Sequence, residues 1–342
     1  MGTRYLGGYI TATEQTPSSS SATGVWQIQE ALTNTKGETW QVPTPSGRAL
    51  FGGGYESAVV NTIEFVDIAS TGNAADFGDL STAVYYMDAV SSSTRGVWGG
   101  GLNTGGSSVN ELQYVSLGSA GNSQDFGDLE AANRQPMALS NSTRGVFAGG
   151  LNPGYSNIIQ YITIASTGNT TDFGDLTASR FGGAGTSSST RGLFMGGWVG
   201  DATNVIDYIT IGSTGNATDF GDLTTGKGTY LGATGSSTRG LSMGGMRSST
   251  YSYDKVDVID YVTIASTGNA SDFGDLSSAR HYNSATSNNT RGLSVGGADS
   301  SSVNVDIVEY VTIASTGNAT DFGNLSAARN GLAAVSASHG GL

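Results

Sequence analysis

Two carboxylates three residues apart recur along this chain, in the block Asp-Phe-Gly-Asp-Leu. The first Asp of the block stands at Asp76, Asp125, Asp172, Asp219, Asp272 and Asp321, and the last copy carries Asn324 in place of the second Asp. An Asp-x-x-Asp pair suits calcium chemistry, but two carboxylates fall well short of the six to eight oxygens that ion takes. No metal and no cofactor are therefore expected. Asp-Phe-Gly is also the magnesium-binding triplet of phosphoryl-transfer enzymes, yet no His-Arg-Asp or Val-Ala-Ile-Lys accompanies it. With no Cys and only His281 and His339, a His-rich or thiolate site is excluded. No Gly-x-Ser-x-Gly with a placed His and Asp is evident either. The chain reads as non-enzymatic.

The block is better explained by what it repeats. Its Phe falls at Phe77, Phe126, Phe173, Phe220, Phe273 and Phe322, in steps of 49, 47, 47, 53 and 49. A period near 50 residues marks a radial or stacked repeat. Composition agrees. Gly is 53 of 342 residues, and charged residues are 13% against a usual ~25%. With 37% hydrophobic residues, this is the profile of a turn-rich all-β protein and not of a disordered acidic chain. The formal charge of −13 is largely a product of repetition, because 11 of the 28 acidic residues belong to the block. It argues against a nucleic-acid partner or an anionic membrane surface. No apolar run is long enough to span a membrane, and the first residues lack the apolar region of a secretory signal.

Each unit reads as four short strands. In one copy these are Ser179 to Gly185, Leu193 to Gly197 after a Ser-Ser-Ser-Thr-Arg-Gly turn, Val205 to Ile211, and the strand carrying Asp219 and Phe220. The third strand has apolar residues on both faces, as a blade wedged between neighbours requires. An apolar strand ending in Gly-Gly, an aromatic a dozen residues before another aromatic, and a basic residue opening the next unit together resemble the kelch repeat, over residues 48–342. The opening basic residues are Arg134, Arg180, Lys227, Arg280 and Arg329; Val84 or Tyr85 stands there in the remaining unit, and Phe replaces the usual fourth-strand Trp. The resemblance implies a β-propeller of four-stranded antiparallel blades.

Counting sets the number of blades. Each strand type occurs six times, but the chain enters on a second strand at Arg48 and leaves on a first strand near Asn330. A linear stack leaves both unpaired. Closing the ring lets the last strand become the innermost strand of the blade begun at Arg48, and removes the exposed edges. The expected architecture is a six-bladed propeller over 47–342 behind an N-terminal arm over 1–46.

Loop lengths separate two faces. From third-strand aromatic to block Phe is 12 residues in every unit, whereas the span from Thr-Arg-Gly Arg to third-strand aromatic varies from 17 to 22. The variable second-to-third loops share a face with the starts of the first strands. Binding residues usually sit on variable loops over a rigid scaffold. The candidate ligand-binding residues on this face are Tyr85, Tyr86, Gln135, Tyr155, Phe181, Trp198, Tyr230, Arg247, Tyr251, Tyr253, His281, Tyr282 and Asn330. Flat aromatic faces beside planar polar groups suit a sugar; equally, the aromatics plug loop bases. On the uniform face, Arg48, Arg95, Arg144, Arg191, Arg239 and Arg291 are expected to bridge a block Asp or a backbone carbonyl of the neighbouring blade.

The arm carries Gly24-Val25-Trp26-Gln27-Ile28-Gln29-Glu30 and then Lys36-Gly37-Glu38-Thr39-Trp40. This resembles the G-x-W-x-h-x-E…G-x-W segment of tail-fibre and related virion proteins of tailed bacteriophages. The resemblance implies a virion appendage, with Trp26 and Trp40 docking other virion proteins and the propeller as the exposed head, binding a host-surface glycan or protein. Alternatives are a purely structural virion part without a receptor, a cellular kelch-type interaction module, or an arm whose Trp residues pack against the propeller. A short helix around Trp26 to Leu32 and a homo-oligomer are compatible with each. Ring closure makes one direct prediction: deleting 327–342 abolishes the cooperative unfolding transition, and an unchanged Tm on a thermal melt contradicts closure.

Overall fold

A computed structural model describes residues 47–227, 230–249 and 252–342. The arm with Trp26 and Trp40 lies outside them, as does Tyr251. Every regular element among the described residues is a strand. Six antiparallel four-stranded sheets form a six-bladed β-propeller. From the axis outward, blade 1 is Ala333–Ser336, Arg48–Gly52, Thr62–Asp67 and Ala75–Asp79. Blades 2 to 6 occupy 88–133, 137–175, 184–222, 232–275 and 284–324. The last strand closes the ring as required, with Ala49 opposite Ser336 and Gly52 opposite Ala333. The inner strands start later than the apolar pattern suggested, Ala184–Ser187 in blade 4, because the chain turns just before them at a residue with positive φ, Gly182 in this blade.

The core lies between blades rather than within one. Each of six apolar clusters among the described residues joins two neighbours: Leu193, Ile206 and Phe220 of blade 4 pack on Ala233, Val262 and Ile264 of blade 5. The last and first blades meet the same way, through Leu293, Val308 and Phe322 on Phe51, Val66 and Ile68.

The repeated sequences are the contact between blades. The Gly of each Thr-Gly-Asn turn, and of Ala120-Gly121-Asn122 in blade 2, donates its N–H to the block Phe carbonyl of the preceding blade, as Gly268 does to Phe220 at 2.8 Å. Two residues on, Ala270 donates to the Asp222 carbonyl at 2.7 Å. The turn Asn returns the bond, Asn269 Oδ1 accepting from Asp222 N–H at 3.1 Å. This three-bond clasp recurs at all six joints, including Asn73 with Asn324 across the closure. Asn324 serves as well as Asp because only its backbone is used.

The expected role of the block Asp side chains does not hold. Asp76, Asp125, Asp172, Asp219, Asp272 and Asp321 are exposed and form no ion pair among the described residues. The Thr-Arg-Gly arginines bridge blades through carbonyls instead. Each guanidinium lies 4.2–4.8 Å from the centroid of its own third-strand aromatic. Each also donates to a carbonyl at the end of the next blade's third strand, from Arg48 on Leu117 to Arg291 on Ile68.

The block Gly must lie flat against the clasp. An added Cβ on Gly274, at φ +147°, would sit 2.5 Å from Gly317 O, whereas Gly268 at φ +155° faces open space. Ala at either position loses the backbone freedom of Gly, about 1–3 kcal/mol. Only Gly274→Ala also pushes two blades apart. Denaturant melts should place it about 2 kcal/mol below Gly268→Ala; equal losses would show the clasp to be slack.

Candidate functional site

The diverse face is organised by a second ring, at the mouth of the central channel. Each inner strand is approached through one residue with positive φ: Tyr86 (58°), Gln135 (54°), Gly182 (70°), Tyr230 (68°), Tyr282 (57°) and Gly331 (64°). The N–H of each donates to the carbonyl of its counterpart in the preceding blade, from Gln135 on Tyr86 round to Tyr86 on Gly331, at 2.6–3.0 Å. Six peptide groups thus close a circle. Left-handed backbone is uncommon for bulky residues and persists where surrounding structure imposes it; here the hydrogen-bonded circle does so.

That conformation gathers side chains from blades far apart in sequence. Tyr230 and Tyr282 stack at 3.6 Å between centroids, and Tyr86 stacks on Tyr282 at 4.7 Å. Tyr85 lies between Tyr86, at 4.4 Å, and the exposed Tyr55, at 5.6 Å. His281 lies against Tyr282 at 4.4 Å, with Nδ1 3.1 Å from the Ala298 carbonyl. The result is a band of aromatic rings from blade 1 across the mouth. Asn330 borders it, donating from Nδ2 to Asn304 Oδ1 at 2.6 Å, while Asn304 donates to the Tyr55 and Glu56 carbonyls. Gln135 is buried beside them.

The remaining candidates do not join this band. Tyr155 is exposed and meets Phe181 at 5.1 Å, and Phe181 pairs by backbone with the half-buried Trp198. Arg247 and Tyr253 lie on the blade 5 hairpin of Met246–Ser249 and Ser252–Lys255, where an exposed Arg247–Asp254 pair measures 3.7 Å. Among the described residues, short backbone pairings tie the variable loops of five blades to their own first-strand approaches, such as Val84–Tyr85 with Leu102–Asn103 and Arg280–His281 with Ala298–Asp299. Tyr55 and Asn304 belong to the site more closely than Arg247, and their loops gave no periodic signal.

Burial disfavours the charged forms of three rings in the band. It pushes the Tyr86 phenol up to about 12, drives Tyr282 well above the ordinary phenol range, and holds His281 down. The described residues contain no group of three His, Cys, Asp or Glu able to hold a metal. What the arrangement offers is ring faces, phenol hydroxyls and amides. These are suited to stacking and hydrogen bonding.

Buried charge pairs hold the approaches to the mouth. Arg180 meets Asp207 at 3.1 Å, Lys227 meets Asp260 at 3.1 Å, Arg329 meets Glu64 at 2.6 Å, and Arg280 pairs with Glu309, all essentially without solvent exposure. In blades 2 and 3 the corresponding pairs are Val84 with Gln113 and Asn133 with Gln160. The opening position of blade 3 is therefore Asn133, whose Nδ2 donates to the Gly149 carbonyl, and not the adjacent Arg134. Cation and acid are present together or absent together. The third-strand partner also anchors the chain that follows the block. Gln113, Gln160, Asp207 and Glu309 each accept an N–H from that segment.

No protein-family model matches this chain, and no curated protein sequence matches it. The class is set by the structure itself: a six-bladed β-propeller with an aromatic mouth.

Removing one member of a buried pair strands the other, at about 3–5 kcal/mol. Asp207→Asn should lose stability on that scale in urea melts, and Arg180→Val with Asp207→Gln, the blade 2 combination, should recover most of it. A double variant no more stable than the single one contradicts the pairing.

Proposed function

We propose that this chain is a non-enzymatic structural protein of a tailed-phage virion, a fibre or appendage with a kelch-type propeller head. Its aromatic mouth binds a host-surface glycan or protein. The observation that carries the binding role is the band from Tyr55 through Tyr85, Tyr86 and Tyr282 to Tyr230, assembled on the face where loop lengths vary. Tyrosines in left-handed backbone are an unusual choice where glycine would serve, as it does at Gly182 and Gly331. Ring faces stack on sugar C–H groups, and the exposed Tyr55 adds a phenol hydroxyl. Placement in the virion rests on the arm, whose Trp26 and Trp40 would dock neighbouring virion proteins.

A structural role without a receptor has its own support, the sameness of the opposite face: six copies of one turn offer a repeated docking surface. The two readings separate experimentally. Tyr55→Ala with Tyr85→Ala, both at the outer end of the band, should lower binding to a host-surface glycan array at least tenfold with little change in Tm. Undiminished binding removes the mouth as the site, and peptide mass spectrometry of purified virions tests whether the chain is a particle component.

A further inference from the structure

Below the aromatic mouth lies a cavity in the central channel, lined by the inner strands. One end is covered by Tyr86, Tyr230 and Tyr282. The other is narrowed by a partial ring of serines at the ends of the inner strands. Ser91 Oγ donates to the Ser336 carbonyl at 2.8 Å, Ser140 to Ser91 at 2.9 Å, Ser187 to Ser140 at 2.7 Å and Ser287 to Gly235 at 2.6 Å. Blade 5 has Gly235 where the others have serine, and the C-terminal segment lies across this side. His339 Nδ1 accepts from Gly341 N–H, which leaves Nε2 to donate to the Ser91 carbonyl at 3.1 Å. Gly340 and Gly341 approach the backbone of Ser236 and Ser140 so closely that no Cβ fits at either.

The cavity has a volume of about 120 Å³. That is many times the ~10–15 Å³ one water needs. Its walls carry Ser and Thr hydroxyls, backbone groups and one acidic side chain, Asp88; no Lys or Arg lines it. Asp88 Oδ1 accepts from Ala89 N–H at 2.8 Å and Oδ2 from Ala138 N–H at 2.6 Å. Each oxygen keeps a second lone pair. In the other five blades the equivalent residues are Met137, Ala184, Gly232, Ser284 and Ala333, so this carboxylate is no part of the repeat. A charge placed in a cavity without a counter-charge is costly, and the group either takes up a proton or gains from a counter-charge that enters to pair with it.

We propose that the channel binds one small monovalent cation, an alkali-metal ion or a primary ammonium group, held by the Asp88 carboxylate in a cavity otherwise lined by neutral groups, Ser and Thr among them. One carboxylate among neutral oxygens matches one positive charge. Calcium takes six to eight oxygens and usually several carboxylates, and softer metals take His or Cys. A quaternary ammonium has no N–H to donate and carries its charge behind methyl groups, so it serves as the reference cation.

Burial lifts the Asp88 carboxyl to about 7. The other titratable groups facing the channel are Tyr86, Tyr230, Tyr282 and His339. Burial takes Tyr86 up to about 12, raises Tyr282 and brings His339 down to about 4. Because the folded carboxyl lies above its unfolded value, the empty protein loses stability as pH rises from about 4 through 7. A cation that binds the ionised form offsets that loss, and its affinity rises over the same window.

The test uses the full chain in thermal melts at constant ionic strength, with tetramethylammonium chloride replaced stepwise by potassium or methylammonium chloride. Tm should rise with potassium or methylammonium at pH 8 and rise much less at pH 5.5, while Asp88→Asn should give a flat response. The ion giving the larger shift identifies the source. No selective rise at pH 8 overturns the proposal, as does an equal rise in Asp88→Asn. Should that variant fail to fold, the unaltered protein still decides, since equal shifts at pH 5.5 and pH 8 exclude binding through this carboxylate.

Discussion

The fold depends on a clasp made three bonds at a time, between the Thr-Gly-Asn turn of one blade and the Asp-Phe-Gly-Asp backbone of the blade before it. A ring of six closes only if each step through space is nearly the same. An error in one joint accumulates at the last, where Gly72 must still reach the Phe322 carbonyl and Asn73 the Asn324 N–H. This explains why the distance from third-strand aromatic to block Phe never departs from 12 residues while other loops drift. Each joint is individually modest, a few hydrogen bonds of about 0.5–1.5 kcal/mol each. Its main effect is geometric: it fixes the angle at which the apolar faces meet.

Given that angle, the rest of the uniform face follows. The Thr-Arg-Gly arginine lies over its own third-strand aromatic, which in turn meets the block Phe edge-on at 5.9–6.1 Å. Its guanidinium crosses to a carbonyl at the end of the next third strand. An arginine serves here because its planar group can stack and donate at once, which a lysine ammonium cannot match. The many Asp residues next to this contact take no part in it through their side chains, and their charge simply faces water.

Blade number, ring closure and the division into two faces were legible in the sequence because they follow from counting and from loop length. The partner of the opening basic residue was not. Arg180 and Asp207 are 27 positions apart, and only the register of blade 4 brings them together. Arg134 misled because it is basic and one position from the true place, which Asn133 fills with Gln160 opposite. The mouth was half legible. Tyr85, Tyr86, Tyr230, His281 and Tyr282 could be placed near the channel, but their stacking across blades 2, 5 and 6 depends on positive φ at residues other than glycine. No local pattern announces that, since tyrosine has no intrinsic preference for it. Asp88 escaped notice because it is a single departure within the inner strand, where period-based reading looks for sameness.

These two rings, one of clasps at the rim and one of peptide groups at the mouth, divide the work of sequence. At the rim, glycine is obligatory because another backbone lies against Gly78, Gly127, Gly174, Gly221, Gly274 and Gly323. At the mouth, the hydrogen bonds run from peptide to peptide, so the side chain takes no part in closing the circle once the residue accepts left-handed backbone. Glycine, glutamine and tyrosine all occupy the same circle. The propeller can therefore change what its mouth presents without disturbing how the blades are joined. Tyr86, Tyr230 and Tyr282 each carry a conformational cost of order 1–3 kcal/mol that glycine would avoid; the peptide circle does not require them, and their rings stack on one another across it.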